Sequence, residues 1–219
     1  SALVAAEALS FEDAVYAVKK RGQFMDQAVP AGQGAMAAIL GMPAADLEKI
    51  TEEVTESGYS VQLANLNCPG QIVISGTAMG VEKASAIAKE KGAKRAIPLE
   101  VSGPFHSELM KPAANQLQDV LSELNFHDAK IPVVANVTAE SVYRQDEIKE
   151  LLVKQLYSPV RWEESVRAMI DNGVTTFIEI GPGKVLSGLV KKIDRSVNVL
   201  AISDRETMNA TISKLKGES

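Results

Sequence analysis

The first clear pattern in the chain is a helical spacing of apolar residues directly after Ser10. Ser10-Phe11-Glu12-Asp13 has the form of a helix-starting box, with a hydroxyl first and an acid three residues later. The spacing predicts a helix to about Met25. Arg21 falls at the border of the apolar stripe, where a guanidinium can turn inward or, as periodicity alone favours, remain at the surface. At roughly 100° per residue, the stripe is predicted to contain Phe11, Ala14, Val15, Val18, Gly22 and Met25.

From Gly34 the pattern changes to short apolar or β-branched runs alternating with helical spacing. The Cys68-Pro69-Gly70 sequence is typical of a tight turn between two strands. The order strand, helix, strand, strand, helix, strand predicts a ferredoxin-like βαββαβ subdomain over residues 29–102. The predicted strands are 35–40, 61–67, 71–75 and 94–101, and the predicted helices are 43–58 and 79–91.

The rest of the chain alternates strands and helices again, which indicates a parallel sheet covered on both faces. The fold class is therefore α/β, with residues 1–28 and 103–219 forming a second subdomain. The first nine residues have the pattern of a buried helix with no start signal, so we expect the chain to begin inside an element of a longer polypeptide. The predicted strands here are 131–136, 176–180 and 198–202, and helices are expected from His106, over 147–156 and 162–172, and from Lys184 and Asp204.

Composition narrows the function classes. The 219 residues are 46% hydrophobic and 23% charged, with a formal net charge of −5. This charge argues against a general nucleic-acid binder. The single cysteine excludes an intrachain disulfide framework, two distant histidines provide no zinc-ligand spacing, and no apolar run reaches membrane-spanning length. We expect a cytoplasmic protein without a bound metal, with no nucleic acid and no membrane among its partners.

His106 is the main candidate for catalysis. It follows Gly103-Pro104-Phe105, which ends an extended run, and it precedes a long amphipathic run, so its ring is expected to project from a helix N-terminus. Imidazole changes charge nearest neutral pH, which suits it to moving a proton to and from a nucleophile. A histidine that merely caps a helix is the alternative.

Two further motifs are weak. Gly181-Pro182-Gly183-Lys184 lies between a strand and a helix but lacks the spacing of a phosphate loop, so a plain turn is expected, although the helix end could still favour an anion. Cys68 paired with His106 is a conceivable nucleophile, yet a lone cysteine beside a turn is usually inert. No Gly-x-Ser-x-Gly elbow occurs in the 219 residues.

Six motifs in order closely resemble the malonyl-CoA:acyl carrier protein transacylases of fatty acid synthesis, along essentially the whole chain. The beginning, Ser1-Ala2-Leu3-Val4-Ala5, looks like the helix that follows the nucleophile elbow of that family, so the serine is expected outside this chain. The motifs are Arg21-Gly22-Gln23-Phe24-Met25, Gly34-Ala35-Met36-Ala37-Ala38, Asn67-Cys68-Pro69-Gly70-Gln71, Gly103-Pro104-Phe105-His106-Ser107, Gln155-Leu156-Tyr157-Ser158-Pro159-Val160-Arg161-Trp162 and Glu179-Ile180-Gly181-Pro182-Gly183-Lys184.

The resemblance implies an incomplete α/β-hydrolase-like acyltransferase domain with an inserted ferredoxin-like subdomain. It also implies that a serine ester carries malonyl from malonyl-CoA to the phosphopantetheine thiol of acyl carrier protein, with no bound cofactor. His106 would be base and acid, and Gln155 would offer its backbone carbonyl to the imidazole. Arg21 would bind the malonyl carboxylate, for which a planar guanidinium suits better than lysine. Asn67 and Gln71 match the motif beside the pocket, and Phe105 would crowd the acyl α-carbon.

Two other functions remain open at this point: a non-catalytic module that binds acyl-CoA or carrier protein, and a thioester hydrolase. A monomer is expected. Because acyl carrier proteins are acidic, a basic face is needed to meet one. Lys184, Lys191, Lys192 and Arg195, on one predicted helix, could supply that face or could simply be solvated.

Overall fold

The computed structural model describes residues 1–217, which form two compact units, one of residues 1–165 and a second that begins at residue 166. The helices of the first unit are α1 (Ala2–Ala5), α2 (Phe11–Ala28), α3 (Ala44–Glu56), α4 (Ala78–Glu90), a 3-10 helix (Glu108–Met110), α5 (Lys111–Ser122) and α6 (Gln145–Lys154). Its strands are β1 (Gly34–Leu40), β2 (Val61–Cys68), β3 (Gln71–Thr77), β4 (Arg95–Pro98), β5 (Val133–Val134) and β6 (Ser141–Val142). Helix α7 (Trp162–Asp171) crosses the boundary, and the second unit contains β7 (Thr176–Ile180), α8 (Val185–Ile193), β8 (Asn198–Ile202) and α9 (Arg205–Lys216).

Strands β1 to β4 form one antiparallel sheet in the order β2-β3-β1-β4. The predicted sequence of strand, helix, strand, strand, helix, strand is confirmed for this part of the chain, with element ends shifted by a few residues. Its core is closed by the apolar faces of α3 and α4, including Leu47, Ile50 and Val81 against Ile39 and Ile74. β2 lies at an edge of this sheet, and residue Val160 pairs with its outer side.

A separate helical core joins α2, α5 and α6. The Ser10 hydroxyl accepts a hydrogen bond from the Asp13 N–H at 3.0 Å, as the sequence box predicts. The predicted apolar stripe of α2 is confirmed at Met25, which is buried, but wrong at Phe11 and Val18, which are 67% and 66% exposed. The helix turns Ala17, which the stripe did not include, towards the core together with Met25, and it packs there against α5. Residue 21 follows Ala17 by four positions, so Arg21 lies along the packed face rather than at its border.

In the second unit, β7 and β8 pair in parallel with α8 between them, and the bounds of both strands match the prediction. The predicted strand over residues 131–136 is much shorter than expected. Val133 and Val134 pair there with a short antiparallel partner, Ser141–Val142. Within residues 1–217, parallel pairing between named strands is limited to β7 and β8.

Candidate active site

His106 lies in a turn between β4 and the 3-10 helix, not at the start of a long helix as predicted. Its φ of 58° is in the left-handed region, which a helical residue cannot adopt. Glu108–Met110 then forms the 3-10 helix, and α5 begins only at Lys111. The turn is anchored by Pro104, which is fully buried two residues earlier.

The imidazole is held by the end of α6. His106 Nδ1 lies 2.8 Å from the backbone carbonyl oxygen of Gln155, and the backbone N–H of His106 donates to the carbonyl of Leu156 at 3.1 Å. A carbonyl can only accept, so in the neutral ring the proton resides on Nδ1 and Nε2 carries the free lone pair. Gln155 is the residue that ends α6, where carbonyls lack helical partners and the helix dipole is negative.

The pKa of His106 is lowered. Burial is the main cause and the Arg21 cation adds to it, while hydrogen bonds to the backbone of Gln155 and Ser158 oppose the shift. The imidazole is therefore neutral at neutral pH, and its Nε2 is available to accept a proton.

Arg21 lies on the packed face of α2, half-buried, and burial lowers the pKa of its guanidinium. Together with Gln155 it borders a cavity of about 120 Å³ whose other walls are mainly apolar residues of α2, α5 and α6, such as Ala17, Leu117 and Leu152. A desolvated guanidinium in an apolar cavity suits a small acyl group that ends in a carboxylate.

Phe105 packs between the two cores of the first unit. Its half-buried ring contacts the helical core and also the cluster formed by Met36, Ala64 and Val73 of the four-stranded sheet. The residue directly before His106 therefore presents a bulky apolar surface beside the imidazole.

Asn67 and Gln71 lie on either side of the turn that joins β2 to β3. Gln71 accepts a hydrogen bond from the Cys68 thiol, with sulfur and oxygen 3.7 Å apart. Asn67 is five positions along β2 from Gln62, the strand residue that bonds to the His106 turn, and at about 3.3 Å per residue this spans roughly 16 Å.

Ser107 and Cys68 are poor nucleophiles. The Ser107 hydroxyl is fully buried and donates to the carbonyl of Pro104 at 2.6 Å, so it serves the turn. Cys68 is also buried and lies beside the same turn as Gln71, at the end of β2.

The sequence analysis missed Gln62. Its side-chain nitrogen donates to the carbonyls of His106 and Tyr157, each at 3.2 Å, and its oxygen accepts from the Glu108 N–H at 3.0 Å. A polar residue between the buried Val61 and Leu63 has the pattern of an ordinary solvent-facing strand position. Sequence periodicity therefore gave no signal for it.

The turn at Gly181 does not offer an open anion site. The carboxylate of Glu179, at the end of β7, accepts hydrogen bonds from the N–H groups of Leu186 at 3.1 Å and Ser187 at 2.7 Å. The Ser187 hydroxyl and these N–H groups lower the pKa of Glu179. The Glu179 carboxylate thus occupies the anion-binding position at the N-terminus of α8.

The proposed basic face is less regular than predicted. Lys184 and Arg195 lie just outside the two ends of α8, and the ammonium of Lys191 donates to the carbonyl of Val197. The Lys191 ammonium is thus already hydrogen-bonded within the second unit.

A larger cavity of about 840 Å³ borders Gln62, but five glutamates line it, and its one arginine, Arg161, is paired with Glu164. Such a surface disfavours the phosphates of a coenzyme A thioester.

In residues 1–217, no three His, Cys, Asp or Glu side chains come together in a way that could hold a metal ion. No helix among the same residues has the length and apolar character to cross a membrane.

Comparison with known proteins gives consistent matches. A family model described as "Acyl transferase domain" matches residues 1–212. A Bacillus subtilis protein named malonyl CoA-acyl carrier protein transacylase is 66% identical over 219 residues, which cover 100% of this chain and 69% of that protein.

Solved structures agree. The malonyl CoA-acyl carrier protein transacylase of Clostridium perfringens superposes with a TM-score of 0.95 at 45% identity, covering 99% of this chain and 68% of that one. A solved structure described as a type II PKS acyl-carrier protein in complex with its malonyl-transacylase also matches. Its TM-score is 0.92 at 41% identity, and the match covers 98% of this chain and 68% of that one.

Proposed function

Because the chain belongs to the acyl transferase domain family and has its mixed α/β fold, we propose that it carries the base and the substrate-binding residues of a malonyl-CoA:acyl carrier protein transacylase. The observation that carries this proposal is the bond between His106 Nδ1 and the Gln155 carbonyl, which leaves Nε2 free as a base. Malonyl transfer is the activity in the names of its relatives.

The reaction is acyl transfer in two steps through a serine ester. His106 Nε2 takes the proton of a serine hydroxyl while the oxygen attacks the thioester carbon of malonyl-CoA. The carbon–sulfur bond then breaks, and the coenzyme A sulfur leaves with that proton. In the second step Nε2 takes the proton of the phosphopantetheine thiol, the sulfur attacks the ester carbon, and the proton returns to the departing serine oxygen.

The serine belongs to an elbow that is not among these 219 residues, so the proposal concerns a protein that contains such an elbow together with this chain. Each assigned residue then has a distinct task. Gln155 fixes the tautomer through its carbonyl, and Arg21 binds the malonyl carboxylate in the cavity that both residues border. Phe105 limits the space at the acyl α-carbon. Asn67 and Gln71 lie farther along β2 and β3, so contact with the reacting carbon is not assigned to them.

The finer organisation is part of the proposal. The order β2-β3-β1-β4 supports a ferredoxin-like subdomain over residues 29–102, inserted into an α/β-hydrolase-like domain of residues 1–28 and 103–219. Both substrates bring their own coenzyme A or phosphopantetheine, so the protein needs no bound cofactor for this chemistry. A monomer in the cytoplasm remains a prediction of the sequence.

The proposal is tested by supplying the elbow-bearing protein with malonyl-CoA, with and without the phosphopantetheine form of acyl carrier protein. We expect malonyl to appear on the carrier, and little free malonate to appear when the carrier is left out. Rapid release of malonate without carrier would assign a thioester hydrolase. Binding of malonyl-CoA with neither transfer nor hydrolysis would assign a non-catalytic module.

A further inference from the structure

Gln62 joins the two backbone segments on which the His106 imidazole depends. Its two N–H groups point to two different carbonyls, His106 in the turn and Tyr157 just after α6, while its oxygen receives the Glu108 N–H. All three contacts are to backbone atoms. They therefore fix the positions of the two segments and do not depend on which side chains those segments carry. We propose that Gln62 is a positioning residue that holds the His106 turn in register with the Gln155 carbonyl.

The orientation of the Gln62 amide is fixed by its surroundings. If the amide were flipped, its oxygen would face two carbonyl oxygens and its nitrogen would face an N–H, so all three contacts would be repulsive. The side chain therefore has one favourable arrangement, and that arrangement sets the distance between the two segments.

The turn needs such support because His106 has a positive φ. A non-glycine residue in the left-handed region is strained and persists only where surrounding contacts require it. The Leu156 carbonyl bonds the His106 N–H, and Gln62 bonds the His106 carbonyl. Both ends of the strained residue are thus held, and Gln62 is the side chain that holds the second.

Strand β2 holds Gln62 in a fixed position relative to the segment that follows α6. The Val160 N–H donates to the Ala64 carbonyl at 2.8 Å, and the Leu66 N–H donates to the Val160 carbonyl at 2.9 Å, so the segment after α6 is tied to β2 by backbone pairing. The segment of residues 157–160 is therefore fixed to the strand that carries Gln62. The His106 turn is joined to this pair through the Gln62 amide.

A specific titration effect follows. The hydrogen bond to the Gln155 backbone raises the pKa of His106 against burial and the nearby Arg21 cation. Loss of Gln62 loosens that bond, so the pKa of His106 should fall further and the proton should be less confined to Nδ1. Replacement by a neutral residue leaves unchanged both the Arg21 cation that acts on the ring and the exposed Glu108–Lys111 ion pair in the segment that follows His106.

The test compares Gln62→Met, which keeps length but removes all three hydrogen bonds, with Gln62→Asn, whose amide is too short to reach the three partners. Gln118→Met, at an exposed position of α5, is the matched control. Malonyl transfer is measured in the elbow-bearing protein. Imidazole nitrogen chemical shifts report the tautomer and pKa of His106, with the exposed His127 as internal reference.

The inference rests on the proposed function for its catalytic consequence, but the titration does not. We expect kcat to fall about tenfold or more with little change in KM for malonyl-CoA, because misplacement of a catalytic group chiefly affects the chemical step. The His106 pKa should fall in both Gln62 variants and remain unchanged in Gln118→Met. If Gln62→Met does not fold, Gln62→Asn decides by the same two readouts.

Other outcomes separate this inference from the proposed function. A shifted His106 titration with normal transfer supports positioning by Gln62 and contradicts His106 as the base. Lost transfer with an unshifted His106 titration overturns the positioning role, and so does a variant in which neither quantity changes.

Discussion

The Arg21 guanidinium lies close enough to the His106 imidazole for its charge to lower the histidine pKa, although the two residues belong to distant parts of the chain. Burial contributes more to the same shift. The protein thus places a fixed cation within electrostatic range of a neutral base. This arrangement suits a reaction in which an anionic acyl group is bound beside a group that must accept a proton.

The first prediction concerns pH. Because the folded-state pKa of His106 is below its ordinary value of 6.5, the base stays neutral until the pH falls below that value. The acid limb of kcat/KM for malonyl transfer, which reports groups of the free protein, should therefore have its midpoint below pH 6.5. Arg21→Gln, which removes the cation, should move the limb to higher pH, and an unmoved limb would contradict the proximity of the two groups.

The same shift has a consequence for stability. The unfolded chain binds a proton at His106 more readily than the folded chain, so stability from this group is complete above pH 6.5 and falls as the pH drops towards the folded pKa. His106→Gln should reduce this loss of the free energy of unfolding, as measured by urea titration at several pH values. Gln118→Met, at an exposed position of α5, removes no titratable group and is the control that should leave the slope unchanged.

The second prediction concerns selectivity for a carboxylated acyl group. Arg21→Ala should reduce malonyl transfer by about 10- to 100-fold, the range for loss of a charge-assisted hydrogen bond, and should reduce acetyl transfer much less. Arg21→Lys keeps a charge but not the two-pronged geometry, so intermediate transfer is expected. An equal loss with malonyl and acetyl substrates would assign Arg21 to folding instead.

The third prediction concerns Phe105. One methyl group in an apolar pocket changes specificity by roughly 1 to 3 kcal/mol, so Phe105→Ser should weaken the preference for malonyl over methylmalonyl. The relevant measurement is the ratio of kcat/KM for the two thioesters. Because the ring also packs against both cores, thermal unfolding should be followed in parallel, with Phe11→Ser at an exposed position as the control. An unchanged ratio would rule out the steric explanation.

The fourth prediction concerns the carrier protein. Lys191 is committed to the Val197 carbonyl, so the sharper test reverses Lys184 and Arg195, which lie just outside the two ends of α8, to Glu and leaves Lys191 intact. We expect KM for acyl carrier protein to rise at low salt, where steering is strongest, and KM for malonyl-CoA to stay constant. Reversal of Lys214 and Lys216 in α9 is the control. If both pairs behave alike, α8 is not the docking surface.

Local pattern was sufficient for much of the fold. The strands Thr176–Ile180 and Asn198–Ile202 were predictable to the residue, because short apolar runs between turn signals need no tertiary information. The α2 stripe was not predictable. Helical periodicity identifies apolar positions, but whether Phe11 or Ala17 faces the core depends on how closely α5 approaches.

The candidate site likewise has features that could be predicted from the sequence and features that could not. His106 could be identified from its motif, yet its left-handed φ could not, because that conformation is imposed by bonds to Leu156 and Gln62 that lie far along the chain. No local sequence pattern identified Gln62. The positions that sequence pattern misses are those whose conformation depends on distant backbone partners.

The most direct measurement is the mass of the protein after incubation with malonyl-CoA, followed by localisation of any covalent malonyl group. In the elbow-bearing protein we expect one malonyl ester on the serine, greatly diminished by His106→Ala with the fold retained, and no adduct on these 219 residues alone. A malonyl group on Cys68, or an ester that forms equally well in His106→Ala, would contradict the account.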